Sequence, residues 1–398
     1  MSVREVFLTS LRLGLTSFGG PIAHLGYFEQ TYVRRRRWLT DTDFAGLVAL
    51  CQSLPGPTSS QVGFLIGLHR AGWPGAFAAW LGFTLPSALV LYACAISMPW
   101  GTNTCIDSTL HGLMITAVAV VAQAVTGMAR TLCPDWRRAM LATLSCVTLL
   151  LISSPATQLA AMLCGALGGL WLCTTPTRAP SASSGRDSIG PSAPARAAWL
   201  LVLYVLVLVA LPALALLAPH GATALVALFY RAGALVFGGG HVVLPLLRQG
   251  LVPAGWLSDG QFLEGYALAQ VIPGPLFSVA AYLGAVSAPA HQSVLWATLA
   301  VLAIFLPGLL LAAGGASLWS LLLRRKRFTA ALAGLNAAVV GILAAALYNP
   351  VWRSGVHTAW DAVLAVAGCV LLQVWRGSAP WVAALCVLGS LSASTSFL

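Results

Sequence analysis

The stretches Gln52-Ser-Leu-Pro-Gly-Pro-Thr-Ser-Ser60 and Gln270-Val-Ile-Pro-Gly-Pro-Leu-Phe-Ser278 each interrupt a long apolar segment. Proline has no N–H to donate, and its ring clashes with the preceding turn. A helix therefore stops at Pro55 and Pro57, and again at Pro273 and Pro275. About a dozen residues flank the first break on either side, at 43–54 and 58–69, whereas a helix needs about 20 to cross a bilayer. Neither arm spans alone, so the segment reads as a re-entrant hairpin. The flanks agree, because Arg34–Arg37 precede it and His69-Arg70 follow it. A full crossing would put one basic cluster on the wrong side of the membrane. Backbone freed by such a break survives at membrane depth only where it packs in protein or lines a cavity.

The composition of the whole chain requires that membrane. Of 398 residues, 59% are hydrophobic and 8% charged, against about 45–50% and 25% in soluble domains. The 21 basic and 10 acidic side chains are too few to coat a soluble protein of this size. An ordinary cytosolic enzyme, a nucleic-acid-binding module and a disordered chain are all excluded. Apolar runs such as 76–98 and 199–217 have the length of spanning helices. The net charge of +11 gathers between the runs, at 34–37 and 324–327, as topology anchors do. The lipid bilayer, and not nucleic acid, is thus the expected partner. The nine cysteines contain no C-x-x-C pair. Cys51, Cys94, Cys146, Cys164, Cys369 and Cys386 lie in apolar segments and read as small buried hydrophobes. The first apolar stretch carries Arg12 and no small-residue cleavage site, so no cleavable signal peptide is expected.

The two breaks belong to a duplication. Gly14-Leu-Thr-Ser-Phe18-Gly19-Gly20 answers to Gly233-Ala-Leu-Val-Phe237-Gly238-Gly239, and Arg12 to Arg231. Trp38-Leu-Thr-Asp41 answers to Trp256-Leu-Ser-Asp259, Leu85-Pro86 to Leu306-Pro307, and Gly112-Leu113 to Gly334-Leu335. The offset stays near 218–222 residues throughout, as a duplicated transporter unit requires. Residues 174–198, rich in Ser, Pro and Ala with three Arg, read as a linker. The expected division is a first repeat at 1–173, a cytoplasmic linker at 174–198 and a second repeat at 199–398. Residues 3–33, broken at Phe18-Gly-Gly-Pro21, form a re-entrant pair or a strongly kinked helix. Full spans follow at about 73–98, 108–129, 139–153 and 156–173. One added crossing at 199–218 then inverts the second half. The fold class is an all-α polytopic membrane protein with two inverted-topology repeats and broken helices.

No HExxH, G-x-S-x-G, P-loop, GxGxxG or metal-spaced Cys/His cluster is present. The chain therefore reads as no enzyme, with no cofactor and no metal. The candidate site lies instead at the duplicated breaks. Half-helix N-termini carry free N–H groups and a partial positive charge, which suits an anion. The first starts at Thr58, Ser59 and Ser60, and the second has Ser278. Gln52, Pro55, Gly56 and Pro57 complete the first break, and Gln270, Pro273, Gly274 and Pro275 the second. Phe18, Gly19, Gly20 and Pro21, with Phe237, Gly238, Gly239 and Gly240, allow close backbone approach to a ligand. Arg12 and Arg231, equivalent and intramembrane, suit bidentate binding of an oxyanion. His24 and His241 flank the glycine breaks as anion donors, proton carriers or structural histidines. Asp41 and Asp259 read as N-caps, and Glu264 is the candidate for proton coupling. Carboxylates are scarce among these positions, so an anion is favoured over a cation.

Phe18-Gly-Gly-Pro21-Ile-Ala-His24, Trp38-Leu, Gln52-Ser-Leu-Pro-Gly-Pro57, Phe237-Gly-Gly-Gly-His-Val-Val-Leu-Pro245 and Gln270-Val-Ile-Pro-Gly-Pro-Leu-Phe277 resemble the chromate ion transporter family, in its long two-domain bacterial form. The resemblance covers both halves. It implies export of chromate across the bacterial inner membrane with the basic loops cytoplasmic, and hence chromate resistance. Sulfate, a tetrahedral dianion of similar shape, is the related substrate. The alternatives are a sulfate or other oxyanion transporter and an anion channel. A homodimer is a further option for the assembly. The repeats differ where Thr58-Ser59-Ser60 becomes Leu276-Phe277-Ser278, so an asymmetric site is expected.

Overall fold

The computed structural model describes residues 2–18, 20–97, 104–152, 155–173, 194–218, 221–236, 243–322, 325–373 and 379–396. Among them every regular element is helical. The first half contains α1 (Val3–Thr16), α2 (Gly20–Phe28), a π-helical turn (Glu29–Arg35), α3 (Asp41–Ser53), α4 (Thr58–Ser97), α5 (Thr104–Leu132), α6 (Trp136–Leu151) and α7 (Pro155–Leu172). Then comes α8 (Pro194–Ala215). The second half returns to the same order with α9 (Ala222–Ala234), α10 (Val243–Leu251), α11 (Asp259–Val271), a 3-10 turn (Leu276–Ser278) leading into α12 (Val279–Val286), α13 (Ser293–Leu322) and α14 (Lys326–Ala346). A π-helical turn (Leu347–Trp352), the short α15 (Arg353–Gly355), α16 (Ala359–Gln373) and α17 (Ala379–Ser396) complete it.

The duplication reaches down to element ends. Both ends of α3 map onto both ends of α11 with one offset, 41 to 259 and 53 to 271. Each is 13 residues long, or about 20 Å, well short of the roughly 30 Å hydrocarbon layer. The residue before a proline avoids the helical region. Accordingly Leu54 (ψ 149°) and Ile272 (ψ 133°) are extended and end their helices. Gly56 and Gly274 then turn the chain with φ of +119° and +115°, values that only glycine adopts freely. α4 is itself two helices, parted at Ala71 and Gly72, where φ at the glycine is +65°. The N-cap expectation needs correction. Thr40 and Ser258 cap α3 and α11, each accepting an N–H three residues on. Asp41 and Asp259 sit one position later and pair instead with Arg34 and Arg248.

Among the described residues five helices, at 58–97, 108–132, 197–215, 293–314 and 326–355, are long and apolar enough to cross a membrane. α8 is apolar all round and largely exposed, with Val205 at 54% and Val209 at 67%. Only lipid accommodates such a helix. The chain is a multi-pass membrane protein. Cys51, Cys173 and Cys386 are buried as small hydrophobes, but Cys164 is exposed on α7.

The helices form two compact units, each drawn from both halves. The first comprises residues 1–92, 175–243 and 273–329, and the second 93–174, 244–272 and 330–398. In the first unit α1 lies on the second arm of α4, where a Cβ on Gly14 would meet the Phe83 carbonyl at 2.6 Å. The equivalent Gly233 of α9 meets the Ile304 carbonyl of α13 in the same way. The second unit is intertwined. Gly112 of α5 abuts the backbone of Val387 on α17, while its counterpart Gly334 on α14 abuts Gly165 and Gly169 on α7. Each half thus packs its long helix against the other half's last helix. Small residues permit that backbone approach.

Candidate functional site

Within the first unit the two breaks and the two Phe-Gly-Gly hinges interlock. Gly56 N–H donates to the Val236 carbonyl at 2.8 Å, and Gly274 N–H donates to the Ser17 carbonyl at 3.0 Å. Ser17 and Val236 are equivalent, as are Gly56 and Gly274, so each half's break docks on the other half's hinge. The packing is reciprocal as well. A Cβ on Gly56 would fall 2.9 Å from the Gly308 Cα, and one on Gly274 would fall 2.7 Å from Ser87 Oγ. Ser87 and Gly308 again correspond, each following the proline of a Leu-Pro pair. A local two-fold relation between the repeats follows from these matched contacts.

The two sides of this crossing differ chemically. On the first repeat's side, His24 is 1% exposed and its Nδ1 lies 3.3 Å from Ser59 Oγ. Its ring stands edge-on to Phe83 with centroids 5.3 Å apart and lies close to the Ser17 carbonyl. Its Nε2 is buried without a hydrogen-bond partner. The hydroxyls of Ser17, Ser60 and Thr84 and the Oε1 of Gln61 are also buried and unpartnered. Gln61 Nε2 donates to the carbonyls of Pro55 and Gly308, at 2.8 and 3.0 Å, and so ties the break to α13. The first turn of α4 adds the N–H groups of Thr58, Ser59 and Ser60, which have no acceptor within their own helix. A buried polar atom left unpaired costs about 1–3 kcal/mol. Five such side chains around one interrupted helix therefore call for a polar occupant.

On the second repeat's side the matching positions are apolar. Ser59 becomes Phe277, Gln61 becomes Val279, Thr84 becomes Phe305 and Ser17 becomes Val236. Phe277 and Phe305 are buried with ring centroids 5.7 Å apart. Ser278 is buried too, but its Oγ is paired with Ser87 Oγ at 2.7 Å.

The remaining expected residues are placed as follows. Pro55, Gly56 and Pro57 are buried at the crossing, as are Gly274 and Pro275, whereas Pro273 is half-buried and Gln52 is exposed. Gln270 is half-buried beside Tyr266 in the second unit, and Glu264 is half-buried on α11. Arg12 lies on the exposed face of α1 with Leu8 and Leu15, and Arg231 is half-buried near the end of α9. Phe18 is half-buried, and Gly20 opens α2 with φ +78°. Gly19, Phe237, Gly238, Gly239, Gly240 and His241 lie outside the described residues, as does the side chain of Pro21. Ser17, Gln61, Thr84 and Ser87 escaped the sequence reading. Their signal was available: Gln61, Thr84 and Ser87 are polar residues in an apolar helix and Ser17 ends α1, all within a few positions of a duplicated Gly or Pro break.

Together these features define a multi-pass membrane protein built on a duplicated, interlocked broken-helix core. The chain belongs to the chromate transporter family, whose model matches residues 4–170 and again 223–391. It is similar to the chromate transport protein of Pseudomonas aeruginosa, with 27% identity over 87% of this chain and 80% of that one. The chromate transport protein of Cupriavidus metallidurans is 26% identical over 96% of this chain and 91% of its own. A probable chromate transport protein of Synechococcus elongatus is 26% identical over 87% and 84% respectively. No solved structure matches the chain significantly.

Proposed function

We propose that this chain is a secondary active transporter that exports chromate across the inner membrane and so confers chromate resistance. The observation that carries the reading is the set of unpartnered buried donors at the first break, on a scaffold whose curated relatives bear the name of chromate transport proteins. A tetrahedral dianion accepts hydrogen bonds on every oxygen. The hydroxyls of Ser17, Ser60 and Thr84 and the N–H groups opening α4 supply neutral donors with a favourable helix dipole, and His24 Nε2 adds one in the tautomer whose Nδ1 accepts from Ser59. The interlocked breaks provide irregular backbone at the place where inverted-repeat transporters bind substrate. Arg12 and Arg231, each six residues before the Phe of its hinge, add positive potential along the approach. Basic loops at 34–37 and 324–327 place both clusters in the cytoplasm by the positive-inside rule. Protons or a counter-anion supply the driving force, with Glu264 as the carboxylate nearest in kind to a proton carrier.

The test is chromate uptake into everted membrane vesicles, with and without excess sulfate and with and without an imposed proton gradient. Saturable uptake above that of vesicles lacking the chain is expected. Uptake equal to the empty control overturns the reading. Non-saturating flux reassigns the chain as a channel, and sulfate uptake without chromate uptake reassigns the substrate.

A further inference from the structure

Far along the chain from the breaks, the second unit gathers His111, His357 and Asp361. His111 lies near the start of α5, and His357 and Asp361 lie on the corner that opens α16. His111 Nε2 is 3.0 Å from Asp361 Oδ1. The His111 and His357 rings stack at 5.3 Å with planes 12° apart. One donor atom from each of the three residues lies within 4.8 Å of the other two. Asp361 is buried, His111 is partly buried and His357 is exposed, so the cluster opens outward past the His357 ring.

Helix capping accounts for only half of Asp361. Its Oδ2 accepts the N–H of Thr358 at 2.9 Å and of His357 at 3.0 Å, while its own N–H donates to Thr358 Oγ1 at 3.2 Å. That is a reciprocal cap at the start of α16, and it fixes the carboxylate's orientation. Oδ1 is left over and faces the two imidazoles. The duplicated scaffold supplies a comparison. At the matching corner of the first half, Asp361 corresponds to Arg138 and His111 to Ala333. There α6 is capped by Asp135, which also pairs with Arg138 at 3.2 Å. The fold builds that corner without imidazole, so the triad is not a requirement of packing.

The geometry points to a binding site for a borderline divalent transition-metal ion, of the Zn²⁺ and Co²⁺ class, held by His111, His357 and Asp361 Oδ1. Two imidazole nitrogens with one carboxylate oxygen favour such ions over Mg²⁺ and Ca²⁺, which take oxygen ligands. Ligand bonds of roughly 2.0–2.2 Å set adjacent donor atoms about 3.0–3.5 Å apart, and His111 and Asp361 already stand 3.0 Å apart. The exposed His357 ring closes the third bond by turning out of its stack with His111, and the open side leaves room for water or a further ligand. The capped Asp361 is oriented by backbone N–H groups, as metal-bound carboxylates are in general. An ion here would link α5 to the α16 corner and stabilise the second unit by mass action.

The test uses the full-length chain, tag-free and purified in detergent, titrated with Co²⁺ and followed by its visible ligand-field absorbance. The expected result is one saturable equivalent, displaced by Zn²⁺, with a rise in thermal midpoint on Zn²⁺ addition. H357A and H111A should each weaken Co²⁺ binding by at least about 10-fold, and H69A should leave it unchanged. The H357A variant is decisive because the side chain of His357 takes no part in the cap, so the helix start survives its removal. Absence of a saturable band in the wild-type chain, or wild-type affinity in either H357A or H111A, overturns the site. Neither outcome depends on which anion the protein carries.

Discussion

Replacing Gly56 with alanine tests the interlocked crossing most directly. The new Cβ would lie 2.9 Å from the Gly308 Cα and 2.9 Å from Gln61 Nε2, on a residue with φ +119°. That φ lies outside the left-handed well that other residues occasionally use, and holding it costs about 1–3 kcal/mol. Forcing a methyl group against a backbone that cannot step aside costs about another 1–3 kcal/mol. The combined penalty of about 2–6 kcal/mol compares with a total stability of about 5–15 kcal/mol for a typical domain. It also displaces the N–H that Gly56 donates to Val236. The measurement is thermal unfolding of the detergent-solubilised protein, together with chromate uptake normalised to membrane abundance. G56A should lower the midpoint by roughly 3–10 °C and abolish transport. G26A is the control, because an added Cβ there meets nothing within 4 Å, and it should be neutral or slightly stabilising. G274A differs in kind, since its Cβ would meet the Ser87 side chain, so adding S87G should recover part of the loss. A G56A protein with wild-type midpoint and transport would refute the crossing.

Ser60 and Ser278 are equivalent buried serines with opposite expected behaviour. S60A removes an unpartnered hydroxyl and should leave stability unchanged or raise it by about 1–3 kcal/mol, while lowering chromate transport about 10-fold. S278A removes a hydroxyl paired with Ser87 and should cost about 0.5–1.5 kcal/mol, with transport largely kept. Unfolding midpoints and initial uptake rates distinguish this pattern from a purely structural role, in which only S278A would matter. R12A and R231A should each raise the KM for chromate a few-fold with kcat nearly unchanged, and the effect should shrink at high salt. A lost kcat at saturating chromate would instead place an arginine in contact with the anion.

The breaks were legible because proline and glycine act on their own backbone. Pro55, Gly56 and Pro57 stop a helix whatever surrounds them, and their recurrence at Pro273, Gly274 and Pro275 announced the duplication. The order of helices followed from that. The partners of the breaks were not legible, because the Gly56 to Val236 and Gly274 to Ser17 bonds join residues some 180 and 257 positions apart and leave no local trace. The face taken by Arg12 was hidden for a different reason. In a membrane helix the lipid side and the packed side are both apolar, so Leu8 and Leu15, which are exposed, look no different in sequence from Val6 and Leu13, which are buried. The caps were nearly legible. Thr40 and Asp41 are both good capping residues, and only the extended backbone at Thr40 decides between them.

The asymmetry of the crossing bears on how a two-fold scaffold handles one anion. Had both breaks kept the serines and glutamine of the first, two polar sites would face the same core, and each would require hydration whenever it was empty. The second break carries Phe277, Val279 and Phe305 instead, with Trp80 packed on Phe305 at 5.7 Å. That aromatic cluster keeps the backbone turn at Gly274 but replaces the hydroxyls of the first break with rings and leaves the indole N–H of Trp80 as an unpaired donor, so a dianion there would recover much less of its hydration. The cost of burying an unpaired dianion far exceeds any strain at a glycine turn, so the proposed function puts the ion on the serine side and not on the aromatic side. Both halves therefore keep the prolines and glycines that make the crossing, and only one keeps the donors. In this reading the second repeat works as the hinge and seal for a proposed site housed in the first.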